Sequence, residues 1–254
     1  MKADYKNWMP KGMIATSLAV SVVLTIITMI IGLKKKIGKV LLAASIICGL
    51  LTQWMYLLYR AFSYDGKRQM SKQIIDGIAS YVKIPDGGKC LDVGCGSGAL
   101  SIAVAKHNPK AHVIGIDRWG KEYASFSKEL CDRNSRAEGV SNTTFQKGDA
   151  VKLDFPDETF DAVTSNYVYH NIPSRDRQAL LLETLRTLKK GGTFAIHDII
   201  SKMKYGDMES FVKKLKEMGY EEVRLIDTTD GMFMSKWEST WMGLSGSAIL
   251  VGRK

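Results

Sequence analysis

The chain has 254 residues, of which 45% are hydrophobic, and its formal net charge at pH 7 is +10. Most of that charge lies in residues 1–60, which hold eight basic residues against the single acid Asp4, so residues 61–254 are close to neutral. A near-neutral domain argues against a nucleic-acid-binding protein. Four cysteines without C-x-x-C or histidine-rich spacing argue against a metal site such as zinc.

Two long apolar runs open the chain. Residues 13–33 contain no charge, and residues 40–59 have Gln53 as their most polar member. Either run can cross a hydrocarbon core of about 30 Å as a helix, so residues 1–60 are predicted to be a membrane anchor with two transmembrane helices. The alternatives are a buried hairpin of a soluble protein, which is rarely so long and uncharged, and a signal peptide, after which a second apolar run is not expected.

The basic residues around these runs predict their orientation. Four lysines lie between the runs in KKKIGK, and seven basic residues flank the other side between positions 2 and 72. Positive charge favours the cytoplasmic side of a membrane. We therefore expect an integral membrane protein with both termini and the globular domain in the cytoplasm, and with the lipid bilayer as a partner.

Residues 61–88 are expected to form a linker and a lead-in helix, and residues 89–254 to form the domain. Strand-like and helix-like segments alternate through the domain, which predicts right-handed crossovers and a mostly parallel α/β sheet. The last two strands lack a clear helix between them, which predicts an antiparallel final strand. The predicted strands are CLDV, HVIGID, TTFQKGD, FDAVTSN, TFAIHDI, EEVRLID and SAILVGR, and the predicted helices cover 99–106, 121–138, 175–188 and 207–218.

The stretch CLDVGCGSGAL, residues 90–100, joins the first strand to the first helix of this domain. Glycine permits positive φ and lets a ligand approach the backbone, while the following helix points free N–H groups at that ligand. The G-x-G-x-G spacing of Gly94, Gly96 and Gly98 differs from the G-x-G-x-x-G of dinucleotide sites. Asp92 would repel a pyrophosphate but can accept a hydrogen bond from an ammonium group, which indicates a ligand with an amino group there.

Two further acids end the next two strands. Asp117 ends the second, where ribose hydroxyls are usually held, and Asp149 follows the third in KGDA, where it can accept from an exocyclic amine. Three acids at three successive strand ends, beside a glycine-rich turn, point to one shared ligand.

Five segments of the domain resemble the class I S-adenosylmethionine-dependent methyltransferases. In chain order they are LDVGCGSG, GIDRW, KGDA, FDAVTSNYVYHNI and LKKGGTFAIHD. The likeness is to the small-molecule group that includes the ubiquinone and menaquinone methyltransferases, and it covers residues 70–200 but not the anchor. It implies a Rossmann-like seven-stranded sheet with an antiparallel last strand and S-adenosylmethionine as cofactor. The residues that it implies at the cofactor, from the methionyl end to the adenine, are Asp92, Gly94, Cys95, Gly96, Gly98, Asp117, Arg118, Trp119, Asp149, Ala150 and Ser165.

The stretch SNYVYHNI follows the fourth strand and lies against the donor methyl in the implied fold. Asn166, Tyr167 and His170 are the candidate catalytic residues, with His170 as general base because histidine side chains titrate near neutral pH. The alternative for His170 is packing or capping of the next helix. His197 and Asp198 end the fifth strand, and strand alternation sends them to opposite sides, so one of them is expected at the site.

The segment TTDGMFMSKWESTWMGLSG between the last two strands is unusually apolar for a loop. It is predicted to be one of three things: an apolar wall over an apolar substrate, a surface that inserts into the membrane, or a short helix packed on the sheet with Trp237 and Trp241 one turn apart.

These patterns predict a membrane-anchored methyltransferase with a small, lipophilic acceptor: a phenol or quinol, a lipid amine or a thiol. There are three alternatives to this function. A nucleic-acid methyltransferase is disfavoured because no Pro-Pro element follows strand four, and a nicotinamide oxidoreductase because Tyr123 and Lys128 do not form a Y-x-x-x-K pair. A non-catalytic membrane scaffold with the same fold is the remaining hypothesis.

Overall fold

The structure is a computed structural model that describes residues 2–120 and 125–254. It forms two compact units, one of Lys6–Lys72 and one of Met1–Tyr5 together with Gln73–Lys254. The smaller unit thus ends at Lys72, and residues 2–5 group with the larger one, while the anchor boundary at residue 60 stays a prediction. Within the predicted helix over 121–138, residues 121–124 lie outside the described part of the chain.

The smaller unit is a hairpin of two long helices, α1 (Lys11–Ile31) and α2 (Lys36–Phe62). Both are long and apolar enough to cross a membrane, and few of their side chains are buried. Hydroxyl groups join the two helices: Ser21 Oγ donates to the Ser45 carbonyl at 2.9 Å, and Thr25 Oγ1 lies 2.6 Å from Ser45 Oγ. Thr52 Oγ1 adds a hydrogen bond to Ser17 Oγ at 2.9 Å. The hairpin thus has a polar seam inside and an apolar surface outside.

The larger unit is an α/β domain built around one seven-stranded sheet with the strand order β3-β2-β1-β4-β5-β7-β6. Strands β1 to β5 pair in parallel, and β7 is antiparallel to both β5 and β6, as predicted. The strands are β1 (Lys89–Val93), β2 (His112–Asp117), β3 (Thr143–Lys147), β4 (Phe160–Asn166), β5 (Leu188–Ile199), β6 (Glu221–Asp227) and β7 (Ser247–Arg253). The helices are α3 (Met70–Ala79), α4 (Ala99–His107), α5 (Lys128–Ala137), α6 (Arg177–Arg186), α7 (Lys202–Tyr205), α8 (Met208–Glu217) and α9 (Lys236–Trp241).

The core lies where the central strands meet the helices that cover the sheet. Leu91, Val163 and Phe194 from the three central parallel strands are almost fully buried, as are Leu181 and Leu185 of α6. Apolar side chains on both faces of a strand are typical of a parallel sheet covered on both sides. This packing holds the carboxyl ends of β1, β2, β4 and β5 at one edge of the sheet.

Three elements differ from the sequence-based expectations. Helix α5 begins at Lys128, because Ser127 caps it by accepting a hydrogen bond from the Leu130 N–H, so residues 125–127 are not helical. The residues KKGG at 189–192 do not end an element; they lie within β5, which shifts register against β4 at this point. The apolar segment between β6 and β7 contains the short helix α9, which starts with a capping box of Ser235 and Glu238.

Candidate active site

The site lies where the strand order reverses. Helix α4 follows β1 on one side of this switch point, and the loop after β4 follows on the other. In open α/β sheets, ligands bind in the crevice outside the carboxyl ends of the strands at such a point. The turn after β1 and the segments after β2 and β3 form one half of the site, called here the cofactor half. The segments that follow β4 and β5 form the other, called here the acceptor half.

The glycine turn defines the cofactor half. Gly94, Gly96 and Gly98 have φ values of 73°, 54° and 82°, a region that favours glycine. The N–H groups of Gly94 and Cys95 both donate to the Ile116 carbonyl, at 2.8 and 2.9 Å, which ties the turn to β2. The turn therefore has a backbone surface without side chains at its three glycines and leads directly into the N-terminus of α4.

Asp117 is brought to this turn from the end of β2. Its carboxylate accepts hydrogen bonds from the backbone N–H of Gly96 at 2.9 Å and from that of Trp119 at 2.7 Å. The indole N–H of Trp119 donates to the Gly96 carbonyl at 3.0 Å, so strand end and turn are bonded in both directions. The neighbouring Arg118 is exposed. Asp117 and Trp119 thus lie beside the glycine turn, and their contact with a cofactor stays a prediction.

Asp92 lies beneath the turn instead of on its surface. Its carboxyl group is only 1% exposed and accepts from Ser101 Oγ at 2.5 Å and from Thr164 Oγ1 at 3.0 Å. Burial raises the pKa of Asp92 to about 7, although these two hydroxyl groups act in the opposite direction. In this arrangement Asp92 supports the turn through α4 and β4, and its burial leaves almost no surface for direct contact with a ligand.

The remaining residues predicted at the cofactor are spread along the same edge. Asp149 is exposed, and its carboxylate accepts from the Val151 N–H at 2.9 Å, while Ala150 packs against the main core. Ser165 is fully buried, and its hydroxyl donates to the Val93 carbonyl at 2.9 Å. Ser165 therefore joins β1 to β4, and Asp149 is the member of this group that faces solvent.

A histidine–aspartate pair forms the centre of the acceptor half. His170 lies in a 3₁₀ turn over Tyr169–Asn171, and its Nδ1 is 2.5 Å from Asp198 Oδ1 at the end of β5. The His170 backbone N–H also donates to Asp198 Oδ2, at 3.1 Å. Burial alone would raise the pKa of Asp198, but the hydrogen bond from His170 and its charge outweigh it and hold that pKa below its usual range. An ionised carboxylate only accepts, so Nδ1 donates to Asp198 and Nε2 is the ring nitrogen that Asp198 does not bind.

Asn166 and Tyr167 surround a second, fully buried histidine. His197 has Nδ1 2.8 Å from Asn166 Oδ1 and Nε2 2.9 Å from Thr228 Oγ1. Burial lowers the pKa of His197 to about 3, against the opposing charge of Asp198, so the ring is neutral. The Tyr167 ring lies 4.6 Å from the His197 ring, and its hydroxyl is 2.8 Å from Ser247 Oγ. His197 and Asp198 thus point to different partners, as strand alternation predicts.

Several residues of the acceptor half were missed from the sequence. The Arg177 guanidinium donates to the carbonyls of Tyr169, Ile172 and Ser174, and so holds the loop that carries His170. Phe233 packs edge-on against His197 with 5.6 Å between ring centres. The only local signal for Arg177 is its place in the first turn of a helix, directly after the predicted catalytic stretch.

Among the described residues, no group of three or more His, Cys, Asp or Glu side chains is placed to hold a metal ion. The sheet order, the G-x-G-x-G turn at the switch point and Asp117 beside it define the class instead: a Rossmann-like domain with a site for a nucleoside-containing ligand.

Comparison with known proteins identifies the family within this class. The family described as "Methyltransferase domain" matches residues 84–240, which is more than half of the chain. The chain therefore belongs to the methyltransferase domain family, and the resemblance stated from the motifs is confirmed.

Individual relatives extend this result. A sterol 24-C-methyltransferase of Gibberella zeae is 31% identical over 61% of this chain and 37% of its own length. A 2-phytyl-1,4-naphtoquinone methyltransferase of Synechococcus elongatus is 37% identical over 44% of this chain and 46% of its own length. The chain thus spans about half or less of the length of these relatives. The solved structure of a geranyl diphosphate methyltransferase in complex with SAM superposes with a TM-score of 0.58 at 12% identity, covering 77% of this chain and 90% of the other, and shows the shared fold.

Proposed function

We propose that this protein is a membrane-anchored methyltransferase that uses S-adenosylmethionine to methylate a small, lipophilic acceptor. The observation that carries the proposal is the placement of two features across one switch point: the glycine turn with Asp117 on one side, and the His170–Asp198 pair on the other. One half suits an adenosyl amino acid, and the other suits a base that removes a proton.

The chemistry of the cofactor half fits S-adenosylmethionine. A ribose diol and an exocyclic amine are hydrogen-bond donors, and the carboxylates of Asp117 and Asp149 at neighbouring strand ends are acceptors. The first turn of α4 supplies backbone N–H groups for the carboxylate of the amino acid. Trp119 lies beside Asp117, where its indole can cover the ribose or the base. The SAM-bound methyltransferase with the same fold agrees with this assignment.

The acceptor half supplies a general base. When bound, S-adenosylmethionine supplies a methyl carbon on a cationic sulfur that needs no further activation. His170 then accepts the proton of the acceptor hydroxyl, amine or thiol at Nε2, while the Nδ1–H remains bonded to Asp198. The carboxylate fixes the ring orientation and stabilises the imidazolium that forms. His197, neutral and fully bonded, gives Asn166 and Tyr167 a fixed position instead of exchanging protons itself.

The hairpin supports a membrane location. Its exposed apolar side chains include Ile30, which is 78% exposed, while the hydroxyl groups of Ser21, Thr25 and Ser45 bond between the two helices. This arrangement is unfavourable in water, but it suits lipid, where helices associate through small and hydroxyl-bearing residues. The excess of basic residues on the side of the domain favours a cytoplasmic catalytic unit.

A lipophilic acceptor is supported by two independent points. Relatives with similar sequences are named for quinone and sterol substrates. In addition, Met203 and Trp237 are 92% and 74% exposed, and both follow strands whose ends form the site edge. Exposed apolar side chains beside a substrate entrance suit a substrate that leaves a bilayer.

The test is to incubate the full chain, reconstituted in lipid nanodiscs, with methyl-labelled S-adenosylmethionine and a total lipid and small-molecule extract. We expect label in a solvent-extractable, lipophilic product, and none with His170→Ala. Binding of S-adenosylmethionine without transfer to any species would favour the scaffold hypothesis instead. Absence of binding would exclude the cofactor assignment itself.

A further inference from the structure

The residues that precede the hairpin touch the glycine turn through one side chain. Asn134 of α5 is only 2% exposed, and its amide pairs with the backbone of Asp4 in both directions. The Asp4 N–H donates to Asn134 Oδ1 at 2.8 Å, and Asn134 Nδ2 donates to the Asp4 carbonyl at 3.0 Å. The same Nδ2 donates to the Ser97 carbonyl at 2.9 Å. Asn134 therefore bridges residues 2–5, called here the N-terminal strap, to the turn between Gly96 and Gly98.

The strap also packs against the side chains behind the turn. Tyr5 is partly buried against a small cluster that includes Cys95, Cys131 and Phe145, and Trp119 packs on the same cluster. Cys131 in turn lies with its Sγ 3.2 Å from the Gly96 carbonyl. Tyr5 and Trp119 thus share one apolar support, although they are far apart in the sequence.

From these contacts we infer that Asn134 is a positioning residue for cofactor binding, which holds the N-terminal strap against the glycine turn. The inference rests on the proposed function, in that the turn is taken as the cofactor site. The bond from Asn134 to the Ser97 carbonyl fixes the peptide plane between Ser97 and Gly98, which leads directly into α4. Without this bond, the turn has to order when the cofactor binds, and affinity falls.

The chain offers a matched control. Asn142 is also an asparagine, partly buried, whose side-chain amide donates to three backbone carbonyls, those of Ala105, Asn108 and Ala111. It precedes β3 at the opposite edge of the sheet. Asn142→Ala therefore removes a comparable set of bonds without touching the turn or the strap.

The experiment measures S-adenosylmethionine affinity by calorimetry, and KM and kcat where turnover is available, on the full chain in nanodiscs. We expect Asn134→Ala to raise Kd by about tenfold, the effect of one to two buried hydrogen bonds, with kcat at saturating cofactor changed less than twofold. Deletion of residues 2–5 is expected to raise Kd similarly, and the double variant to be no weaker than the worse single one, because both remove the same contact. Asn142→Ala is expected to leave Kd unchanged.

A Kd within twofold of the unaltered chain in both the Asn134 variant and the strap deletion would overturn the inference, and so would equal losses in Asn134→Ala and Asn142→Ala. If Asn134→Ala does not fold, the strap deletion and Tyr5→Ala carry the test, since the strap belongs to no strand or helix. An unaltered chain that binds no S-adenosylmethionine would remove the proposed function itself, which is a different result.

Discussion

The two halves of the site differ in which groups make their contacts and in where those groups lie in the sequence. In the cofactor half, the turn is held mainly by backbone groups and Asp117, which come from one short stretch, 92–119, while Asp149 and Ala150 follow β3. In the acceptor half, side chains make the contacts, and they come from positions as far apart as Asn166 and Ser247. The difference teaches that a site for a common cofactor is encoded locally, whereas the site for a particular acceptor is assembled by the topology of the sheet.

Each half also contains a titratable group whose neutral form is favoured by burial, and the two pKa values shift in opposite directions. Asp92 under the glycine turn has a raised pKa, and His197 beside Tyr167 has a lowered one, in both cases mainly because of burial.

The largest effect is expected from His170 and its carboxylate. His170→Ala should lower kcat by about 10² to 10⁴-fold because it removes the general base. Asp198→Asn should lower it by at least about 10²-fold because an amide no longer fixes the Nδ1–H tautomer. Cofactor Kd should stay unchanged in both. Initial rates and calorimetry check this, with His112→Gln, at the start of β2, as control. A loss below tenfold would contradict the base assignment.

The converse change is Asp117→Ala. Loss of a charged acceptor for the ribose hydroxyls should raise cofactor Kd by about 10 to 100-fold, while kcat at saturating cofactor stays within a few-fold. Asp117→Asn keeps one acceptor oxygen, so its effect should be smaller. Calorimetric titration measures both, with Asp132→Ala, from an exposed ion pair with Lys128, as the control. Equal loss of kcat and affinity would mean that the halves are not separable.

The pH dependence of stability should separate the halves by sign. Asp92 has a folded pKa of about 7 against an ordinary 3.8, so the folded state holds the extra proton and stability falls as pH rises through this window. His197 has a folded pKa of about 3 against 6.5, so the unfolded state holds the extra proton and stability is lost on acidification. Asp92→Asn should make stability rise more steeply between pH 4 and about 7, and His197→Asn should flatten it.

The size of these changes follows from about 1.4 kcal/mol per pKa unit, which gives on the order of a few kcal/mol across each window. Thermal unfolding in detergent at several pH values between about 4 and 7.5 measures them. Parallel curves for the unaltered chain and both variants would show that neither group is buried as described.

The smallest effect is expected at Gly77, which supports the acceptor half from α3. A Cβ at Gly77 would lie 2.2 Å from Cε1 of Phe233, whose ring packs against His197. Gly77→Ala should therefore destabilise the protein by about 1 to 3 kcal/mol through overpacking, although alanine is the better helix former. Replacing Phe233 by Leu in the same chain should restore most of the loss. A stabilised single variant would show that Phe233 does not contact α3.

The division between the halves also explains how much was predictable. Gly94, Gly96 and Gly98 were predictable as a turn because glycine is favoured where φ is positive, and Asp117 because it ends a strand beside them. The burial of Asp92 was not, because Ser101 and Thr164, which accompany it, lie on separate elements. The His170–Asp198 pair joins positions 28 residues apart, so the sequence predicted only that one of His197 and Asp198 lies at the site, and not that Asp198 pairs with His170.

The fold shows the same contrast. The sheet and its antiparallel last strand followed from alternation alone, whereas the passage of β5 through KKGG depends on its pairing with β4, which local preferences cannot show. The four-residue spacing of Ser17, Ser21 and Thr25 was a usable signal for the polar seam of the hairpin, since residues four apart share one helix face.

The position of the hairpin within the chain has a practical consequence. Because Met1–Tyr5 group with Gln73–Lys254, the hairpin is an insertion between two parts of one folding unit. Trimming the chain from its beginning to obtain a shorter enzyme would discard Tyr5 and the partner of Asn134 together with the two apolar helices. Any resulting weakness toward the cofactor would then be mistaken for a need for lipid. Excising only Lys6–Lys72 and rejoining the ends with a flexible linker would keep the two effects apart.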